Sequence, residues 1–106
     1  MVTMAEDRVF IAWEFKGDAK RKSKAHYRLF GHKVKRQGKT YYYDGVLQGF
    51  KDGRKVPLIS YEHYGRAHIS VPASEAERII EILTEAKADN ISIGYNTRRN
   101  LYVKRF

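Results

Sequence analysis

Val71-Pro72-Ala73-Ser74-Glu75-Ala76-Glu77-Arg78-Ile79-Ile80-Glu81-Ile82-Leu83-Thr84-Glu85-Ala86-Lys87-Ala88-Asp89-Asn90 is the stretch in which a helical period is clearest. Ala76, Ile79, Ile80, Leu83 and Ala86 recur at helical spacing, which gathers them on one side of a helix. Ser74 and Glu77 have the S-x-x-E spacing of a capping box, Pro72 stands just before it, and Asp89-Asn90 supplies a stop. The spacing predicts a helix from about Glu75 to Ala88, or 74–89 with its caps, packing through Ile79, Ile80 and Leu83. Its polar face carries Glu75, Arg78, Glu81 and Glu85, with acids early and Lys87 late, the order the helix dipole favours. An acidic face repels phosphate, so this helix is expected to cover the core and to hold no anionic ligand.

The rest of the chain is patterned for strands, rich in Tyr, Val, Ile and Phe and broken by Gly-containing turns. We place strands near 8–15, 24–35, 39–48, 55–61, 66–71, 91–96 and 101–106. Lys35-Arg36-Gln37-Gly38-Lys39-Thr40 reads as a hairpin turn, and Asn96-Thr97-Arg98-Arg99-Asn100 as the loop of a second hairpin. One amphipathic helix on one face of a mostly antiparallel sheet is an α+β layer arrangement, the fold class expected here. Without internal repeats, low-complexity runs or a Pro/Gly/Ser linker, residues 1–106 are expected to form a single small domain.

Composition narrows the function. The 106 residues hold 21 Lys and Arg against 12 Asp and Glu, a net charge of +9, which favours a phosphate-bearing partner. There is no cysteine, which removes disulfides, zinc knuckles and thiol nucleophiles. The start, Met1-Val2-Thr3-Met4-Ala5-Glu6-Asp7-Arg8, is acidic early and reads as neither a signal peptide nor a membrane span. A soluble, cytoplasmic protein that does not engage membranes is expected. Its 2 Gln and 3 Asn beside abundant Lys, Arg and Glu lean toward a thermophilic source.

The basic charge is segregated. Residues 16–55 hold 13 Lys and Arg against Asp18, Asp44 and Asp52, whereas residues 56–97 are net acidic. With the hairpin centred on Gln37-Gly38, Val34 opposes Tyr41, Lys33 opposes Tyr42 and His32 opposes Tyr43. One face then shows Phe30, His32, Val34, Tyr41, Tyr43 and Leu47, and is assigned to the core. The other shows Tyr27, Leu29, Lys33, Lys35, Thr40, Tyr42 and Val46, and is assigned to solvent and ligand, since Lys33 and Lys35 cannot be buried unpaired. A tyrosine flanked by lysines suits single-stranded nucleic acid, because the ring stacks on any base while ammonium groups neutralise phosphate.

Lys20-Arg21-Lys22-Ser23-Lys24 is expected to form a mobile loop wrapping the backbone. The candidate contacts are Lys20, Arg21, Lys22, Lys24, Tyr27, Lys33, Lys35, Arg36, Lys39, Tyr42, Arg98 and Arg99. Single-stranded DNA or RNA is the favoured partner. A protein partner, or a second copy joined through an edge strand, is compatible with it.

Signals for catalysis and cofactors are weak. His26, His32, His63 and His68 show no metal-binding helical spacing, and His63 and His68 on one strand would point to opposite faces. Asp7, Glu14 and Lys16 follow the D…E-x-K order of some metal-dependent nucleases, a pattern of common residues that chance readily supplies. Leu47-Gln48-Gly49-Phe50-Lys51-Asp52-Gly53 echoes a LAGLIDADG segment but occurs once and follows a strand. Gly38-Lys39-Thr40 has no P-loop ahead of it, and no serine sits in a G-x-S-x-G setting. The expectation is a non-catalytic binding protein without cofactors. A small nuclease, an RNA-embedded ribosomal-type subunit and a protein adaptor are the alternatives.

Overall fold

The computed structural model describes residues 7–96 and 101–105. Its main layer is a sheet in the order β6-β7-β1-β8-β9, formed by Glu62–Gly65 (β6), His68–Pro72 (β7), Arg8–Glu14 (β1), Asn90–Asn96 (β8) and Leu101–Arg105 (β9). Every neighbouring pair is antiparallel. Two helices, α1 (Ala19–Phe30) and α2 (Ala73–Glu85), cover one face. The fold is α+β. Because β1 lies between β7 and β8, β7-α2-β8 is a split βαβ unit. The segment from β1 through α1 to β6 is a second, interleaved with the first.

Strand alternation sets the core. Val9 pairs with Val71, Ile11 with Ile69 and Ile93, and Trp13 with Ile91, so one sheet face is a continuous aliphatic layer. Onto it pack Ala76, Ile79, Ile82 and Leu83 of α2, Ala86 at its C-cap, and Ala25, Leu29 and Phe30 of α1. Ile79 and Leu83 are fully buried as expected, but Ile82 joins them while Ile80 is only partly covered. On the opposite face Phe10, Tyr64 and His68 touch, with Phe10 and Tyr64 ring centroids 5.6 Å apart. There Arg8 donates to the Ser70 carbonyl and Oγ, each at 3.0 Å, and so satisfies the one buried polar side chain among the described residues.

The ends of α2 differ from the expected capping box. Pro72 occupies the N-cap without any side-chain cap bond, and Ala73 N–H donates to the Asp7 carbonyl at 3.1 Å. Proline's fixed φ pre-sets the first turn, so Ser74 lies inside the helix instead of capping it. At the other end Lys87 takes φ 61° while its N–H donates to Thr84 O and that of Ala88 to Leu83 O. That Schellman closure stops α2 at Glu85, short of the expected 88.

The main correction is α1. Residues 19–30 were expected to be a basic loop running into a strand, and they form one helix. Asp18 caps it by accepting from Lys20 N–H at 2.9 Å and Arg21 N–H at 3.2 Å, and Gly31 ends it at φ 75°.

Between α1 and β6 the chain makes two ribbons outside the main sheet: β2 (His32–Arg36) with β3 (Lys39–Tyr43), and β4 (Gln48–Lys51) with β5 (Arg54–Pro57). Both turns, Gln37-Gly38 and Asp52-Gly53, have positive φ at both residues, the type I′ geometry that matches strand twist. The expected strand 39–48 therefore breaks into β3, a loop and β4, and the expected strand 55–61 ends at Pro57. β6, placed by no sequence signal, forms one edge of the sheet. Among the described residues no helix is long and apolar enough to cross a membrane.

Candidate nucleic-acid interface

With 3.6 residues per turn, α1 presents four sides. Ala25 and Leu29 face the core. One flank is tied down: Arg28 pairs with Glu85 of α2, and Arg21 donates to Asp18 (3.0 Å), Asp89 (3.4 Å) and the carbonyls of Lys16 and Lys87. Arg21, a sequence candidate for phosphate contact, has its donors taken up in joining α1 to the sheet. Opposite the core run Lys20, Lys24 and Tyr27, all exposed. The remaining flank carries Lys22, His26 and Phe30.

The outward side continues onto the first ribbon through stacked rings. Tyr27 stacks on His32 at 4.5 Å and 25°, and His32 on Tyr43 at 4.9 Å and 14°. Tyr27 and Tyr43, the outer members of the column, remain 47% and 44% exposed. The register His32 to Tyr43, Val34 to Tyr41 and Arg36 to Lys39 matches the sequence reading and puts Tyr41, Arg36 and Lys39 on the same ribbon face.

That face was expected to be core: Phe30 and Leu47 are indeed buried, but on the ribbon itself His32 and Val34 are only half-buried and Tyr41 and Tyr43 are exposed. Because the ribbon stands apart from the main sheet, neither of its faces meets the aliphatic layer. Tyr42, on the other face with Lys33 and Lys35, is 46% exposed, and its ring lies 5.1 Å from Phe50 of the second ribbon. Lys20, Lys22, Lys24, Lys33, Lys35, Arg36 and Lys39 make no ion pair among the described residues. Arg98 and Arg99 lie outside the described residues.

Leu29 and Phe30 dock α1, and Val46 N–H and Leu47 N–H donate to the Arg28 and Leu29 carbonyls at 3.0 and 2.7 Å. The helix and ribbon are thereby fixed in one orientation. Sequence reasoning missed His32 as the centre of the stack. The signal for it, its pairing with Tyr43, was visible, but the partner Tyr27 comes within reach only once 19–30 is helical. Among the described residues no three His, Asp or Glu side chains group as metal ligands would. The chain matches no protein-family model, no curated protein and no solved structure.

Proposed function

We propose that this protein is a non-catalytic binder of single-stranded DNA or RNA, held along the outward side of α1 and the adjoining face of the β2–β3 ribbon. The reading rests on the column Tyr27–His32–Tyr43, whose outer residues are exposed and which is bordered by lysines without carboxylate partners among the described residues. Exposed rings in a short stack are extended by an unpaired base, whose π-face every nucleotide supplies, and duplex bases are not free to do this. Lys20 and Lys24 lie on the helical side of the column, and Arg36 and Lys39 at the tip of the ribbon. The track runs about 10 Å along the helix and about 14 Å along the ribbon, the span of a few nucleotides.

Fluorescence anisotropy with single-stranded DNA, duplex DNA, single-stranded RNA and structured RNA, each at several salt concentrations, tests the proposal. Single strands should bind most tightly, with affinity falling as salt rises. Equal or stronger binding to duplexes would move the protein to an electrostatic, shape-reading class. No binding to any probe at low salt would end the nucleic-acid reading and favour an adaptor acting through the β6 or β9 edge.

A further inference from the structure

The flank of α1 that faces the second ribbon and the β6 edge carries a separate group of cations. Lys22 and His26 are one helical turn apart on α1 and Phe30 follows on the same flank. His26 lies 4.8 Å from the Phe30 ring, and Phe30 lies 5.1 Å from His63 of β6, so the two imidazoles flank one buried phenyl ring. Tyr61 stands edge-on to His63 at 5.4 Å. Lys55 on β5, His63 on β6 and Lys22 on α1 each disfavour the protonated form of His26. Glu62, the acid beside His63 in sequence, has its carboxylate taken by the Tyr64 hydroxyl at 2.6 Å.

We propose that Lys22, His26, Lys55 and His63 form a phosphate seat on this flank, separate from the stacking column, which grips phosphate more tightly as its imidazoles take up protons in acid. The nucleic-acid occupant rests on the function proposed above; the seat itself does not. Two lysines and two imidazoles come together from three elements, and a polyanion there relieves the repulsion that the lysines impose on a protonated imidazole. In the free protein, burial against Phe30, then the charges of Lys55, His63 and Lys22, push the His26 imidazole below its usual range. A phosphate opposes that repulsion and favours the imidazolium. By linkage, anion binding takes up a proton and acid strengthens the grip. Tyr61 stays a neutral phenol, since burial raises its pKa against a weaker lowering by Gln48.

The experiment is an NMR titration of the histidine ring protons of the full chain from about pH 5 to 8, a range spanning the ordinary histidine pKa. It is run on the free protein, with a short deoxythymidine oligonucleotide, and with pyrophosphate. His68, on the opposite sheet face beside Phe10, is the internal control. The His26 midpoint should rise by about half a unit or more with either anion while that of His68 stays put, and oligonucleotide affinity at fixed ionic strength should increase several-fold toward acid. The double variant His26→Gln/His63→Gln, checked for its fold by circular dichroism, should lose this pH dependence. A shift with pyrophosphate but no oligonucleotide binding would keep the seat and remove the nucleic acid. If neither anion moves the His26 midpoint, or the pH dependence survives in the double variant, the seat is overturned.

Discussion

Tyr42 and Phe50 meet with ring centroids 5.1 Å apart at an interplanar angle of 48°, and this contact joins the two ribbons. It turns the Tyr42 face of the first ribbon toward the second and leaves the Tyr43 face to continue the stack from α1. Tyr42→Ala should therefore lower the unfolding free energy by about 1 kcal/mol, the scale of one aromatic pair, with little loss of affinity. Tyr27→Ala and Tyr43→Ala should each weaken single-strand binding by about 1–3 kcal/mol without changing the salt dependence, since each removes a stacking ring and no charge. Urea melts and anisotropy on the same preparations separate the two effects. If Tyr42→Ala is the variant that loses affinity at full stability, the ligand lies on the other ribbon face.

Charge on α1 divides in the same way. Lys20 and Lys24 make no ion pair among the described residues, whereas Arg21 is bonded to Asp18, Asp89 and two carbonyls. Lys20→Ala or Lys24→Ala should reduce the slope of log affinity against log salt by about 0.7 for each phosphate left without its ammonium partner. Arg21→Ala should instead lower thermal stability and leave that slope nearly unchanged. A slope reduced by Arg21→Ala as much as by Lys24→Ala would mean that Arg21 leaves its partners to meet phosphate.

How far the sequence carried the reading depends on how many side chains each element buries. Helix α2 buries four residues, Ala76, Ile79, Ile82 and Leu83, with Ala86 following at its C-cap, and its period was plain. Helix α1 buries only Ala25, Leu29 and Phe30 within twelve residues, and its other sides are mostly charged or polar. Three apolar residues did not outweigh a run that also reads as a charged loop followed by a Tyr-Leu strand. Its caps, Asp18 and Gly31, were in view, but tertiary contacts supply what periodicity lacked. The first ribbon's register was legible because Gln37-Gly38 fixes it locally. Its exposed face was not, because the sequence does not say that this ribbon leaves the sheet. The charge of segment 16–55 was therefore legible as composition, while its geometry, a helix followed by ribbons outside the main sheet, was not.

Gly45 lies backbone to backbone against the end of α1. A Cβ there would meet Gly31 N and, at 2.6 Å, the Leu29 carbonyl carbon and oxygen, none of which is a flexible side chain. Gly45→Ala should cost about 1–3 kcal/mol by overpacking and loosen the helix from the ribbon. Gly38 has φ 79°, but a methyl group added there would meet nothing within 4 Å, so Gly38→Ala should cost only about 1 kcal/mol of backbone strain. Denaturant midpoints in that order check the argument. Equal losses would mean that strain in the turn, not close approach, dominates at both glycines.

Asp18 links helix capping to pH. The Arg21 backbone N–H, against some opposing desolvation, holds its carboxyl below the ordinary range, with further help from the Arg21 guanidinium and Lys20 N–H. A carboxyl whose folded pKa is depressed contributes stability that is complete above its unfolded value, about 3.9, and disappears as pH falls through the lower folded value. Asp18→Asn keeps a good capping side chain and removes the charge. The variant should therefore melt below the wild type near neutral pH, and the gap should close in acid. A gap independent of pH would assign the loss to geometry alone.

Asp7 and Glu14 sit at opposite ends of β1, Asp7 just before its first residue and Glu14 as its last. Seven residues of extended chain separate them by about 23 Å, too far for two carboxylates to hold one magnesium ion. Each region also has a structural part: the Asp7 carbonyl accepts from Ala73 N–H, Glu14 Oε2 from Asn90 at 3.2 Å, and Lys16 N–H donates to Asp89 at 2.6 Å. The nuclease order D…E-x-K thus has no shared site to serve. The purified protein is expected to leave single- and double-stranded DNA and RNA intact with magnesium or manganese under conditions where it binds them. Glu14→Ala should lower thermal stability slightly, through loss of its tie to Asn90, and should leave binding unchanged. Cleavage that copurifies with the wild type and disappears in Glu14→Ala with binding retained would install the nuclease reading. Cleavage that persists in that variant would point to a contaminant.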